Sequence, residues 1–165
     1  MSHNISDERA IFESFTSSVP IYGEVTATIY RADGTIETKT IRNIVTANGL
    51  NEIAKLASGT GSAAGYLAIG TVTAAGSLGS TDFGEVIRKA GAVITNSKSF
   101  IVITATYGGA ADSITSLALE TAAICNHASS GSGVIWNLAT GVAATLANSD
   151  TLNLTSQIRC GSHDL

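Results

Sequence analysis

Residues 22–31 alternate with a period of two. Val25, Ala27 and Ile29 fall on one side, and Glu24, Thr26, Thr28 and Tyr30 on the other. Only an extended strand with one face buried places every second side chain together. Asp33-Gly34 follows, a pair suited to a hairpin turn because such turns need positive φ, and 35–45 returns rich in Thr and Ile. A chain that opens its folded part this way must build a sheet around that hairpin.

The pattern after Tyr66 stays β. Strands are expected at 66–72, 84–95, 99–107, 114–120, 123–126, 133–138 and 151–159. The pair 84–95 and 99–107 is expected to turn around Asn96-Ser97, and 73–83 reads as a Gly/Ser/Thr/Ala loop. Phe100, Ile101, Val102 and Ile103 are apolar on both faces, which suits a central strand or one covered by another subunit. Trp136 shares parity with Val134 and Leu138 and reads as a core anchor. In the last strand Leu152, Leu154 and Ile158 alternate with Asn153, Thr155, Gln157 and Arg159.

One segment changes period. Ala47, Leu50, Ile53, Ala54 and Ala57 fall on a single helical face, Thr46 or Asn48 can cap the start, and Gly59 stops it. The segment 58–65 is then a connector. About eight short strands, Gly-rich turns and one helix at an end or flank predict an all-β protein, an antiparallel β-sandwich or jelly-roll-like fold, in one domain at 21–165. Residues 1–20 read as an N-terminal arm: the first nine are polar, Ile11, Phe12, Phe15 and Val19 offer apolar contact points, and Pro20, the only proline, breaks the segment off. These four are the candidate partner-binding residues. The competing reading is a short helix packed on its own domain.

The chain has 165 residues, enough to bury a core without disulfide or metal. Its charged fraction is 13%, against about 25% in typical soluble proteins. So sparse a charge fits a surface covered by partners, or a neutral Thr/Ser/Gly-rich β surface. A net charge of −4 with scattered cations argues against nucleic-acid binding. No apolar run approaches the ~18 residues that cross a bilayer, and the polar start lacks a signal-peptide core. The expected compartment is the cytoplasm unless a particle carries the protein out. Cys125 and Cys160 are expected as buried free thiols.

The residues that carry chemistry elsewhere are not arranged for it. There is no G-x-S-x-G, and the Gly59–Gly65 segment has no lysine with which to hold a phosphate. His3, His127 and His163 are isolated, so zinc has no ligand spacing to use. His127 lies two residues from Cys125, but a lone pair in a Gly/Ser-rich turn reads as structural. Asp82, Asp112 and Asp150 sit in polar turns, where Asp bonds the local backbone. No catalytic residue, cofactor or metal is therefore expected. Glu85 and Arg88 are expected to form an ion pair fixing a loop, if their strand is locally bent.

Three stretches, in order, carry a resemblance. The first is Ile41-Arg42-Asn43-Ile44-Val45-Thr46-Ala47-Asn48-Gly49-Leu50, leading into Ile53-Ala54-Lys55-Leu56. The second is Tyr66-Leu67-Ala68-Ile69-Gly70-Thr71, then Ser80-Thr81-Asp82-Phe83-Gly84-Glu85-Val86-Ile87-Arg88. The third is Ser149-Asp150-Thr151-Leu152-Asn153-Leu154. Across about 41–160 this order resembles small virion structural proteins of tailed bacteriophages. The middle departs from that pattern, reading Ser116-Leu117-Ala118-Leu119-Glu120. The resemblance implies a non-enzymatic virion component. The expected function is capsid decoration (cement), with a homotrimer or homodimer clamping neighbouring major capsid subunits. A tail component (fibre, baseplate or tail tip), bound to neighbouring tail proteins, is the alternative. A carbohydrate-binding β-sandwich module stands further off and would want exposed aromatics or a cation.

Overall fold

The computed structural model describes residues 21–72, 83–96 and 99–160. The expected arm with Ile11, Phe12, Phe15 and Val19, most of the 73–83 loop, Asp82, Ser97, His3 and His163 lie outside the described residues. The chain is all-β, with one helix among the described residues. Its elements run β1 (Ile21–Tyr30), β2 (Ile36–Val45), α1 (Ala47–Ala57), β3 (Tyr66–Gly70), β4 (Glu85–Ala90) and β5 (Ala92–Asn96). They continue with β6 (Ser99–Gly108), β7 (Ser116–Cys125), β8 (Ile135–Ala147) and β9 (Thr151–Cys160).

The opening hairpin forms as its pattern dictates. Val25, Ala27 and Ile29 are buried, and β1 pairs antiparallel with β2 from Gly23↔Asn43 to Tyr30↔Ile36. Gly34 takes φ 85°, and the Thr35 N–H donates to Asp33 Oδ1 at 2.8 Å, so both turn residues act through their own chemistry. β1 also pairs along its length with β9.

The strands follow the order β4-β3-β7-β8-β2-β1-β9-β6-β5, all antiparallel. Two features turn this ribbon back on itself. First, β2 changes partner: Ile36–Asn43 pair with β1, and Ile44 and Val45 pair with Leu138 and Asn137 of β8. Second, β4 and β5, at opposite ends of the order, are consecutive in the chain and joined by the single residue Gly91. The two halves therefore face each other. The Tyr107 hydroxyl of β6 donates to the Leu67 carbonyl of β3 at 2.8 Å, and Lys89 Nζ of β4 donates to the Thr106 carbonyl of β6 at 3.0 Å. Leu67, Ile69, Ile103, Leu119, Ile124, Leu146, Leu152, Leu154 and Ile158 fill the space between. Each such side chain stabilises the fold by about 1.5–3 kcal/mol relative to exposure.

Three sequence expectations change here. The expected strand 84–95 is two strands, because β4 pairs with β3 and only β5 pairs with β6. The segments 114–120 and 123–126 form one continuous strand, β7, which runs through the acidic position Glu120. β8 extends to Ala147, well beyond the expected 138. The helix forms and is capped by Thr46, whose hydroxyl accepts the Gly49 N–H at 2.9 Å, and Ile53 of its apolar stripe packs against the core. Its buried residues are Gly49 and Glu52, while Leu50, Ala54, Leu56 and Ala57 are exposed and Ile53 is half-buried.

Candidate interaction surface

The motif residues are best understood as joints of the scaffold. Val45 is buried, and the Thr46 N–H donates to the Trp136 carbonyl at 2.9 Å while its hydroxyl donates to the Ile135 carbonyl. A Cβ on Gly49 would lie 2.1 Å from the Trp136 carbonyl oxygen, so only glycine lets the first turn of α1 sit on β8. The strand, the threonine and the glycine at this spacing dock the helix.

Glu85 and Arg88 do pair, at 2.6 Å, at a register irregularity between β3 and β4. Both side chains are buried. Arg88 Nη1 also donates to the carbonyls of His127, Ser129 and Ser132 at 2.8–2.9 Å, so one guanidinium holds the whole turn between β7 and β8. Asp150 similarly accepts the Ala147 N–H at 2.8 Å and Arg31 Nη1 at 2.7 Å. A shallow hollow lined by Arg31, Asp33 and Asp150 is thus filled with mutually satisfied charges.

The thiol–imidazole candidate comes apart. Cys125 is a free, fully buried thiol, and burial pushes its pKa up to about 12. His127 is exposed, and its Nδ1 accepts the Ser129 N–H at 3.1 Å. Among the described residues no three His, Cys, Asp or Glu side chains come together as metal ligands, and no helix is long and apolar enough to cross a membrane. Trp136 is 2% exposed, a core residue as its parity indicates, with no ring face free for a sugar.

What the surface does offer is aliphatic. One side of α1 borders a cleft of about 460 Å³, lined chiefly by Ile53, Leu56, Ala57, Val93, Ile101 and Trp136. The indole Nε1 of Trp136 is buried there without a hydrogen-bond partner. Val93, at the cleft, is 53% exposed, and Ile94 and Val86 are each 48% exposed. These three lie on β4 and β5, which end the strand order and, among the described residues, each pair with one strand only. Strand edges of this kind with exposed aliphatic side chains invite another polypeptide.

The chain matches no protein-family model, no curated protein and no solved structure. The surface itself must carry the functional argument.

The sequence points to the arm residues as contact points and does not single out Val86, Val93 and Ile94. These three lie in what reads as one strand, 84–95, and the signal that separates β4 from β5 is a single glycine, Gly91.

Proposed function

We propose that this protein is a non-enzymatic structural component of a tailed-phage virion, a decoration protein that binds copies of itself and neighbouring major capsid subunits. The observation that carries the reading is the set of exposed aliphatic side chains Val86, Val93 and Ile94 on β4 and β5, the strands that end the strand order among the described residues. Sparse charge over the whole chain supports it, since few ions need desolvating when such a surface is covered. The ordered motifs at 41–56, 66–88 and 149–154 support it by their resemblance to small virion proteins. Ile11, Phe12, Phe15 and Val19 supply further contacts, and several weak ones held together give strong attachment. Residence on the tail, as a fibre, baseplate or tail-tip part, follows from the same surface and differs in copy number.

Virions purified from the phage that encodes the chain test this reading by quantitative mass spectrometry. Hundreds of copies per particle are expected for decoration, and a few to a few dozen indicate the tail. Particles without the chain would end the proposal.

A further inference from the structure

We propose that Asn48-Gly49, at the start of α1, is a self-modification site that docking of the helix holds unreactive, and that deamidation there makes release of α1 a one-way event.

Asn48 is the only asparagine in the chain followed by glycine. Such a pair is reactive because glycine puts no side chain in the way of its own nitrogen. The Gly49 nitrogen attacks Asn48 Cγ and bonds to it, the Cγ–Nδ2 bond breaks, and ammonia leaves with the proton that the Gly49 nitrogen gives up. Water then opens the five-membered ring at either of its carbonyls, leaving aspartate or isoaspartate. Water is the only other reactant, and Asn48 is exposed to it.

The fold cannot remove the hazard by giving up the glycine. A Cβ at position 49 would meet the Trp136 carbonyl oxygen at 2.1 Å. It guards the bond instead. Gly49 is buried, and its N–H donates to the Thr46 hydroxyl at 2.9 Å. Thr46 is fully buried in turn: its hydroxyl donates to the Ile135 carbonyl, and its N–H donates to the Trp136 carbonyl at 2.9 Å. Asn48 lies in the first turn of α1, where helical backbone angles keep Cγ away from the next nitrogen. Attack therefore waits until the first turn lifts off β8, and the rate follows the fraction of molecules that have opened there.

The two products act in opposite ways. Aspartate sits exposed in a first turn that holds no acidic residue, and the positive end of the helix favours it. Isoaspartate inserts one extra backbone carbon between residues 48 and 49. The contact of Gly49 with the Trp136 carbonyl leaves no room to absorb that carbon, so a turn that carries it does not reseat.

The test is ageing of the full chain at pH 8, with mass-spectrometric peptide mapping to count aspartate and isoaspartate at position 48. A synthetic peptide of residues 42–54 gives the unprotected rate. The native chain should react at least about tenfold more slowly than the peptide. Thr46→Val removes the acceptor of the Gly49 N–H and should react about fivefold faster than wild type, the factor that a lost cap represents. Thr46→Ser keeps the hydroxyl and should stay slow. A native chain that reacts at the peptide's rate overturns the proposal. So does a Thr46→Val variant with a native circular dichroism spectrum that reacts no faster than wild type. If Thr46→Val does not fold, wild type in urea below its unfolding midpoint takes its place. Hydrogen exchange of the Gly49 amide and deamidation should then rise together, and exchange without deamidation overturns the proposal. Chains carrying isoaspartate, separated by ion exchange, should show shifted emission from Trp136, the only tryptophan. Unshifted emission would mean that the helix reseats, and would overturn the one-way step.

Discussion

Arg31 Nη1 lies 2.7 Å from Asp150 Oδ2, tying the turn of the first hairpin to the turn between β8 and β9 across 119 residues of sequence. Arg31 Nη2 also holds Glu37 at 2.6 Å, and the Arg31 guanidinium donates to the Thr145 carbonyl. Asp150 is only 4% exposed, so its charge depends on these partners. Arg31→Ala should cost about 1–3 kcal/mol, because it strands a buried acceptor rather than merely deleting a bond. Urea unfolding of the two proteins measures the difference. An unchanged midpoint would show that the Ala147 N–H alone satisfies the carboxylate.

Stability should fall in acid. The Ala147 N–H, with Arg31 adding to it, holds the Asp150 carboxyl below its ordinary value. Glu52 is lowered by Lys55 and the Ser62 N–H, and Asp33 by Thr35. A carboxylate whose folded pKa lies below its unfolded one stabilises fully above the unfolded value. The contribution disappears as pH drops through the folded value. Thermal melts should therefore be flat near neutrality and decline once pH passes below the ordinary carboxylate range near 4. Asp150→Asn should flatten that acid limb.

Arg88 is the second clasp. Removing it leaves Glu85 buried without its cation and releases three carbonyls of the β7–β8 turn. Arg88→Ala should destabilise by about 3–5 kcal/mol. Hydrogen exchange should show the loss first in residues 126–134. Arg88→Lys keeps the charge but not the fork, and should recover only part of the loss.

Gly49→Ala drives a methyl into the Trp136 carbonyl. Overpacking of this kind costs about 1–3 kcal/mol. Trp136 fluorescence should change with it, since the helix must lift off β8. A variant with wild-type emission and stability would mean that α1 is docked by other contacts.

Cys125 should resist thiol reagents in the native protein at pH 8. Burial raises its pKa to about 12, so the nucleophilic thiolate is scarce and also shielded. In a Cys160→Ser background, labelling should wait for denaturant. Prompt reaction would contradict the buried position.

These residues also indicate what the sequence made legible. Strands with one buried face, such as β1, announce themselves by alternation, and Asp33-Gly34 and Thr46 act locally, so their roles can be read from a few neighbours. For the helix, periodicity reports a stripe without naming what covers it. Gly49, with no side chain, provides the docking surface, and Ile53, Leu56 and Ala57 border the cleft. Glu52 is buried because Lys55 and the Ser62 N–H satisfy it, a tertiary arrangement that no hydrophobic pattern encodes. The division of 84–95 was hidden for a similar reason: Gly91 alone, with no proline or turn pair, marks the break, and the identity of the partner strand changes there.

The position of β1 has a mechanical consequence. It is held between β2 on one side and β9 on the other, and its first residue is where the leading segment attaches. Antiparallel main-chain bonds lie across the strand direction, so a tug on that segment acts along β1 and loads both ladders in shear. They must yield together, not one by one like a zipper. A tether anchored this way can bear tension while the molecule to which it belongs stays folded.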